Sequence, residues 1–223
     1  MKIKAGLIIL LLISFQSVAS NWKYNDQKYG INTYSREIKN SQLKEYMAVA
    51  TFNAPIELIG LVLLDINNHK NWIADCEKSR IIKHFYGNFS NIRKINKGGL
   101  MQYYAIGTPW PVQSRDVIIR TDFNINWKKG KLSIRCLSIK RPHIYKNNKY
   151  FRMEEIAISW YCTRVNKNTT KVIYQLKSNP GGTVPISLAN GSTQKMPLKT
   201  LINLKKECKK KIYTSKYKRL FQN

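Results

Sequence analysis

The sequence predicts an α+β domain in which a curved antiparallel sheet wraps one long C-terminal helix and leaves an apolar cavity beneath it. Three observations lead there. Stretches rich in Val, Ile, Tyr and Phe dominate residues 30–52 and 76–177. The turns between them are short and built from Gly, Asn and Pro, as antiparallel hairpins require. Only one long helical pattern, from Ile186 to about Lys211, is available to cover the apolar face of such a sheet, and that face must be buried against something.

At the N-terminus, Lys2 and Lys4 precede an apolar run from Ala5 to Ile13, and Ser17-Val18-Ala19 places small residues at the −3 and −1 positions of a cut after Ala19. This is a signal-peptide pattern, with an apolar core of about ten residues that is too short to span a bilayer. Residues 1–19 are therefore expected to be removed, residues 20–212 to form the domain and residues 213–223 a basic tail. The exported product would be periplasmic in a Gram-negative cell and otherwise secreted, in a compartment where disulfides persist. Cys76, Cys136, Cys162 and Cys208 match neither a zinc knuckle nor a CxxC pair. Disulfides and buried free thiols both remain open.

The elements follow in order. Gly30–Glu37 and Leu43–Phe52 are strand candidates. Asn53 is placed to cap a helix, and Pro55 is tolerated in a first helical turn. Ile56, Ile59 and Leu63 then form an amphipathic helix to about Asp65, and a polar break over residues 67–71 leads to Trp72. Further strand candidates are Cys76–Tyr86, Phe89–Ile95, Leu100–Ile106, Asp116–Trp127, Lys131–Lys140, Tyr150–Cys162 and Lys171–Lys177. Gly87-Asn88, Lys97-Gly98-Gly99, Lys129-Gly130, Pro142-His143 and residues 166–168 supply the turns. The last strand ends at Asn179-Pro180-Gly181-Gly182, and the terminal helix follows Pro185. Pro197 inside that helix removes a backbone donor and is expected to kink it.

The segment 117–127 gives the cleanest face assignment, because side chains alternate across a strand. Val117, Ile119, Thr121, Phe123, Ile125 and Trp127 fall on one face and are expected inside. Arg120 falls on the other. Thr121 is the lone hydroxyl in that row, suited either to a polar ligand group or to a local bond. Both faces of Leu100–Ile106 are partly apolar, which leaves its inward set open; Met101 and Tyr103 are the ligand-contact candidates taken from it. Glu155, as the inward member of the Glu154-Glu155 pair, and Tyr174 are candidates from the later strands. On the terminal helix, Leu188, Ser192 and Met196 share a face at four-residue spacing, and a flexible Met suits a variable hydrophobic guest.

The formal charge is +27, which attracts acidic partners. The basic residues are mostly Lys and are spread along the chain, without the clustered Arg and exposed aromatics of a nucleic-acid site. Transient contact with an anionic membrane surface is expected instead, and nucleic acid is not. The stretch Lys209–Arg219, with Tyr213 and Tyr217, would either touch such a surface or fray into solvent. His69, His84 and His143 are widely separated, and no HExxH or phosphate-loop pattern occurs. No catalytic residue, metal or cofactor is expected, and the chain is expected to be a monomer.

At Pro109-Trp110-Pro111-Val112-Gln113-Ser114-Arg115-Asp116 the sequence resembles the PWPxxxRD-type segment of the START domain family, the steroidogenic-regulator-related lipid-transfer domains. Trp72 with Asp75, Tyr103-Tyr104, the Asn179–Gly182 turn and the Pro197-containing helix resemble other landmarks of that family, in the family order, over roughly residues 30–210. The resemblance implies a helix-grip fold around a tunnel for one sterol, phospholipid, sphingolipid or related hydrophobe, admitted by movement of the last helix or nearby loops. Several members place a cavity arginine where this chain has Thr121, which weakens any charged cavity. Arg115 and Asp116 are expected to tie the turn to the strand start. The expected function is non-catalytic binding, and possibly intermembrane transfer, of one lipid or other hydrophobic molecule. The alternatives are a structural or interaction protein whose cavity is filled by side chains and, less favoured, an enzyme acting on a small molecule.

Overall fold

The computed structural model describes residues 21–222 apart from positions 109, 142, 146 and 147. The leader pattern of residues 1–19, and Pro109 and Pro142, lie outside the described residues. The strands are β1 (Lys23–Lys28), β2 (Ile31–Glu37), β3 (Lys44–Phe52), β4 (Cys76–Tyr86), β5 (Lys97–Ile106), β6 (Arg115–Asn126), β7 (Lys131–Ser138), β8 (Phe151–Arg152), β9 (Glu155–Asn166) and β10 (Thr169–Asn179). They form one sheet in the order β1-β2-β3-β10-β9-β7-β6-β5-β4, with the short β8 added parallel to β6 and every other pairing antiparallel. The helices are α1 (Ile56–Leu63), α2 (Ile186–Glu207) and α3 (Lys211–Tyr217), with a 3-10 helix at Ile66–Asn71. The α+β class is as predicted. No described helix is long and apolar enough to cross a membrane.

Alternation decides what is covered. Val117, Ile119, Thr121, Phe123 and Ile125 of β6 are all buried, while Arg120 points outward and pairs with Asp122 at 2.9 Å. Ala48 and Phe52 of β3, Ile134 of β7, Trp160 of β9 and Tyr174 of β10 face the same core. Helix α2 packs over β2, β3 and β10, and the almost wholly buried α1 closes the region of β7 and β9. Gly60 lets α1 approach closely, because a Cβ there would collide with the Trp127 ring. Helix α2 continues through Pro197.

Several expectations are corrected. Phe89–Ile95 is not a strand. Asn88 and Asn91 accept hydrogen bonds from the backbone N–H groups of Ser90 (3.0 Å) and Arg93 (3.1 Å), and such local bonds compete with a ladder. Gly98 and Gly99 are not a turn but the start of β5, paired with Phe123 and Asp122, and a Cβ at either would strike a neighbouring side chain. The polar segment after Trp22 forms β1, which precedes the first expected strand. Asn53 does not cap α1; Pro55 occupies the cap position without a side-chain bond. The Tyr150–Cys162 strand is divided at Met153-Glu154 into β8 and β9.

Residues 211–222 do not fray. Helix α3 packs on α1, and the buried Tyr213 hydroxyl meets Asp65 Oδ2 at 2.8 Å and Asn68 Nδ2 at 2.7 Å. Phe221 reaches the Trp127 ring edge-on, with centroids 5.9 Å apart. Burying a large apolar side chain contributes roughly 1.5–3 kcal/mol, so this segment should carry measurable stability. Deleting residues 211–223 is expected to lower unfolding free energy in urea by at least about 3 kcal/mol, given two or more such side chains. An unchanged midpoint would show that the docking contributes nothing.

Candidate ligand-binding site

Cross-strand rungs build the wall of an inner chamber. Leu100, Thr121, Cys136 and Ile158 stand opposite one another across β5, β6, β7 and β9, and Ile134, Trp160 and Tyr174 do so across β7, β9 and β10. Together with Leu63, His69 and Met196 they enclose about 40 Å³. That is little more than a water's share of liquid volume, and far below the several hundred Å³ typical of a small-molecule pocket.

A larger groove of about 900 Å³ lies outside it, between the first half of α2, the 106–115 connection and the Pro180–Val184 turn. Ile106, Ile156 and Met196 line both spaces. These three side chains form the partition between groove and chamber.

The chamber carries neutral polar groups and, among the described residues, no Asp, Glu, Lys or Arg. Gln102 stands opposite Ile119 and reaches diagonally to Thr121, where its Nε2 donates to Oγ1 at 2.5 Å. Thr121 Oγ1 in turn donates to Cys136 Sγ at 3.2 Å. The Tyr104 hydroxyl lies 2.5 Å from His69 Nδ1 and 3.4 Å from Gln102 Oε1. His69 Nε2 is 3.0 Å from the Leu63 carbonyl, which can only accept. Nε2 therefore carries the proton, and Nδ1 accepts from Tyr104. Burial pulls the His69 pKa down to about 4, pushes the Cys136 thiol up to about 12 and raises Tyr104 and Tyr174. At neutral pH every one of these groups is uncharged. The four described cysteines are free and buried.

Of the sequence candidates, Val117, Ile119, Thr121, Phe123, Tyr174 and Met196 line the chamber. Ile125 is buried in the same core but does not reach it. Met101 and Tyr103 are corrected: they lie on the opposite face of β5, packed with Ile118 and Tyr150 and with Ile139 and Ile144 against them. The inward members of that strand are Leu100, Gln102, Tyr104 and Ile106. Glu155 is also corrected. It turns away from the chamber and pairs with Lys177 at 2.8 Å, while Ile156 and Ile158 face inward. Leu188 and Ser192 line the groove rather than the chamber. Sequence reasoning missed His69, whose only signal was a position beside Trp72; the two rings meet edge-on at 4.9 Å. Asp116 does not pair with Arg115. Its carboxylate takes Arg152 Nε at 2.6 Å and Nη2 at 3.1 Å.

No family model matches the chain. It is similar to an uncharacterized protein of Pseudomonas aeruginosa, 25% identical over 199 residues that cover 89% of this chain and 92% of that one. It is also similar to the rat phosphatidylcholine transfer protein, 21% identical over 193 residues, covering 85% and 84%. Among solved structures, the STAR-related lipid transfer protein of Xanthomonas axonopodis superposes with a TM-score of 0.72 at 22% identity, covering 85% of this chain and 99% of that one. Human STARD10 superposes equally well, at 0.72 and 18% identity, over 90% of this chain and 77% of its own. The START resemblance read from Pro109–Asp116 is borne out at the level of the fold.

A buried neutral His69 makes stability depend on pH. Its folded pKa of about 4 lies below the ordinary histidine value of 6.5, so between those values the unfolded chain binds the extra proton and gains. Stability is complete above pH 6.5 and falls as pH drops toward 4. The loss expected from this residue by pH 5 is about 2 kcal/mol, at about 1.4 kcal/mol per pH unit. Urea titrations from pH 7 to 5 check it, and His69→Gln should flatten the slope. An unaltered slope would remove His69 from the account.

Proposed function

We propose that this chain, which has the START fold, binds one hydrophobic molecule and carries it without changing it. The observation that carries the reading is the partition formed by Ile106, Ile156 and Met196. A groove of about 900 Å³ is large enough for a ligand of several hundred Å³, and its apolar end would enter the chamber by displacing those three side chains. Met196 is the adaptable one, unbranched and set on α2. Apolar burial would supply the affinity, and a few polar groups the orientation.

Binding without catalysis follows from the chemistry of the lining. His69 is held neutral by its burial, and no described carboxylate faces the chamber to share proton transfer with it. An enzyme would need such a reacting set. The two named lipid transfer relatives agree with a carrier. Export remains part of the proposal and rests on the leader pattern of residues 1–19. Delivery to or from an anionic membrane surface fits the net charge of +27.

The tightness of the chamber favours one second reading, a domain whose core is filled and which works as an interaction module. The two part at Met196. Met196→Trp would block the partition, and uptake of a fluorescent lipid from vesicles is expected to fall at least ten-fold while the circular dichroism spectrum is kept. Equal uptake by the two proteins would rule out passage between groove and chamber.

A further inference from the structure

The charges lining the groove do not balance. Both of its carboxylates are engaged. Asp75 has Lys199 Nζ at 3.6 Å, and Glu77 accepts from the Tyr150 hydroxyl at 2.8 Å with Lys149 Nζ 3.8 Å away. Its cations are Arg115, Lys195 and Lys199, and only Lys199 has an ion pair among the described residues.

Arg115 is the unusual member. It is only 5% exposed, yet no described carboxylate lies within ion-pair distance, because its neighbour Asp116 is taken by Arg152. Its guanidinium donates to backbone carbonyls alone: Nε to Pro180 at 3.5 Å, one Nη to Gly181 at 3.3 Å and the other to Gln113. A guanidinium has five N–H donors, so two have no partner among the described residues. The ring of Phe151 lies 5.2 Å from it, a contact that shields without neutralising. Burial lowers the Arg115 pKa, with no anion opposing the shift. A buried cation that lacks a counter-charge is costly, and a planar fork of donors is the geometry that recognises carboxylate or phosphate.

We infer that the groove is a subsite for the anionic head group of the bound hydrophobe, a carboxylate or phosphate held by Arg115 with Lys195 at the outer rim. The apolar chain then runs past Ile106, Ile156 and Met196 toward the uncharged chamber. The inference rests on the carrier reading and adds the polarity and orientation of the guest. It also gives Arg115 a role beyond tying the turn to the strand.

A pair of probes that differ only in charge tests it: a fluorescent polyene fatty acid and its methyl ester, titrated into the full chain. The acid is expected to bind at least ten-fold more tightly than the ester. Arg115→Gln should abolish that preference while ester affinity stays within about two-fold, and Arg115→Lys should restore part of it. Lys195→Gln, at an exposed helical position, should weaken the acid two- to five-fold and not the ester; it keeps the test open if Arg115→Gln does not fold. A purely structural Arg115 would leave the acid-to-ester ratio unchanged in every folded variant, which overturns the inference. An ester bound as tightly as the acid by the natural protein overturns the subsite and leaves the carrier standing. Failure of both probes to bind defeats both. Inorganic phosphate that stabilises the natural protein but not Arg115→Gln, with no preference for the acid, would assign the site to a free anion and overturn the lipid assignment.

Discussion

The structure depends on the two-residue alternation of β6. Val117, Ile119, Thr121 and Phe123 must all face one way, and a slip by one residue would bring Arg120 and Asp122 into the core. Because β6 lies between β5 and β7, its register also sets theirs: Leu100 stands opposite Thr121, and Cys136 stands opposite Thr121 from the other side. That fixed row gives the sheet an apolar face wider than α1 and α2 can cover evenly. Helix α2 packs on β2, β3 and β10, and α1 on β7 and β9. The strip along β5 and β6 is left to His69, Met196 and the 106–115 connection, and the chamber and groove lie there.

The polar groups of this strip follow two rules. Deep in the chamber, Gln102 donates to Thr121 and Thr121 to Cys136, while Tyr104 donates to His69, which itself donates to a backbone carbonyl. Buried polar groups that satisfy each other cost little and charge nothing. At the groove, Arg115 satisfies part of its donor set with carbonyls and has no anion. The first arrangement carries no charge that needs a counter-ion. The second calls for a partner, and the proposed ligand polarity follows from that difference.

How much of this was legible in the sequence depended on whether one pattern stood alone. Residues 117–127 alternate strongly, and their inward row was assigned correctly to the core. The neighbouring strand could not be oriented, because both its faces are apolar for separate reasons. One lines the chamber, and the other is covered by Ile139, Ile144 and Tyr150 from a long connection, which no local pattern announces. Met101 and Tyr103 were misplaced on that account. Glu155 was misplaced because the strand starts afresh after Met153-Glu154, which resets the alternation. Arg115 and Asp116 were expected to tie the turn to the strand start, but apart from Gln113 their partners Pro180, Gly181 and Arg152 lie 36 to 66 positions away, which no local pattern announces. The basic stretch after Lys210 looked like a tail by charge, although Tyr213 and Phe221 anchor it.

The central claim is that the sheet and α2 enclose space for one hydrophobic guest. Native mass spectrometry of the gently purified chain, with organic extraction of whatever is bound, tests it most directly. A single lipid-sized mass per chain, released by solvent and recovered intact, is the expected result. A chain that is reproducibly free of ligand, and that takes up none from either anionic or neutral vesicles, would contradict it.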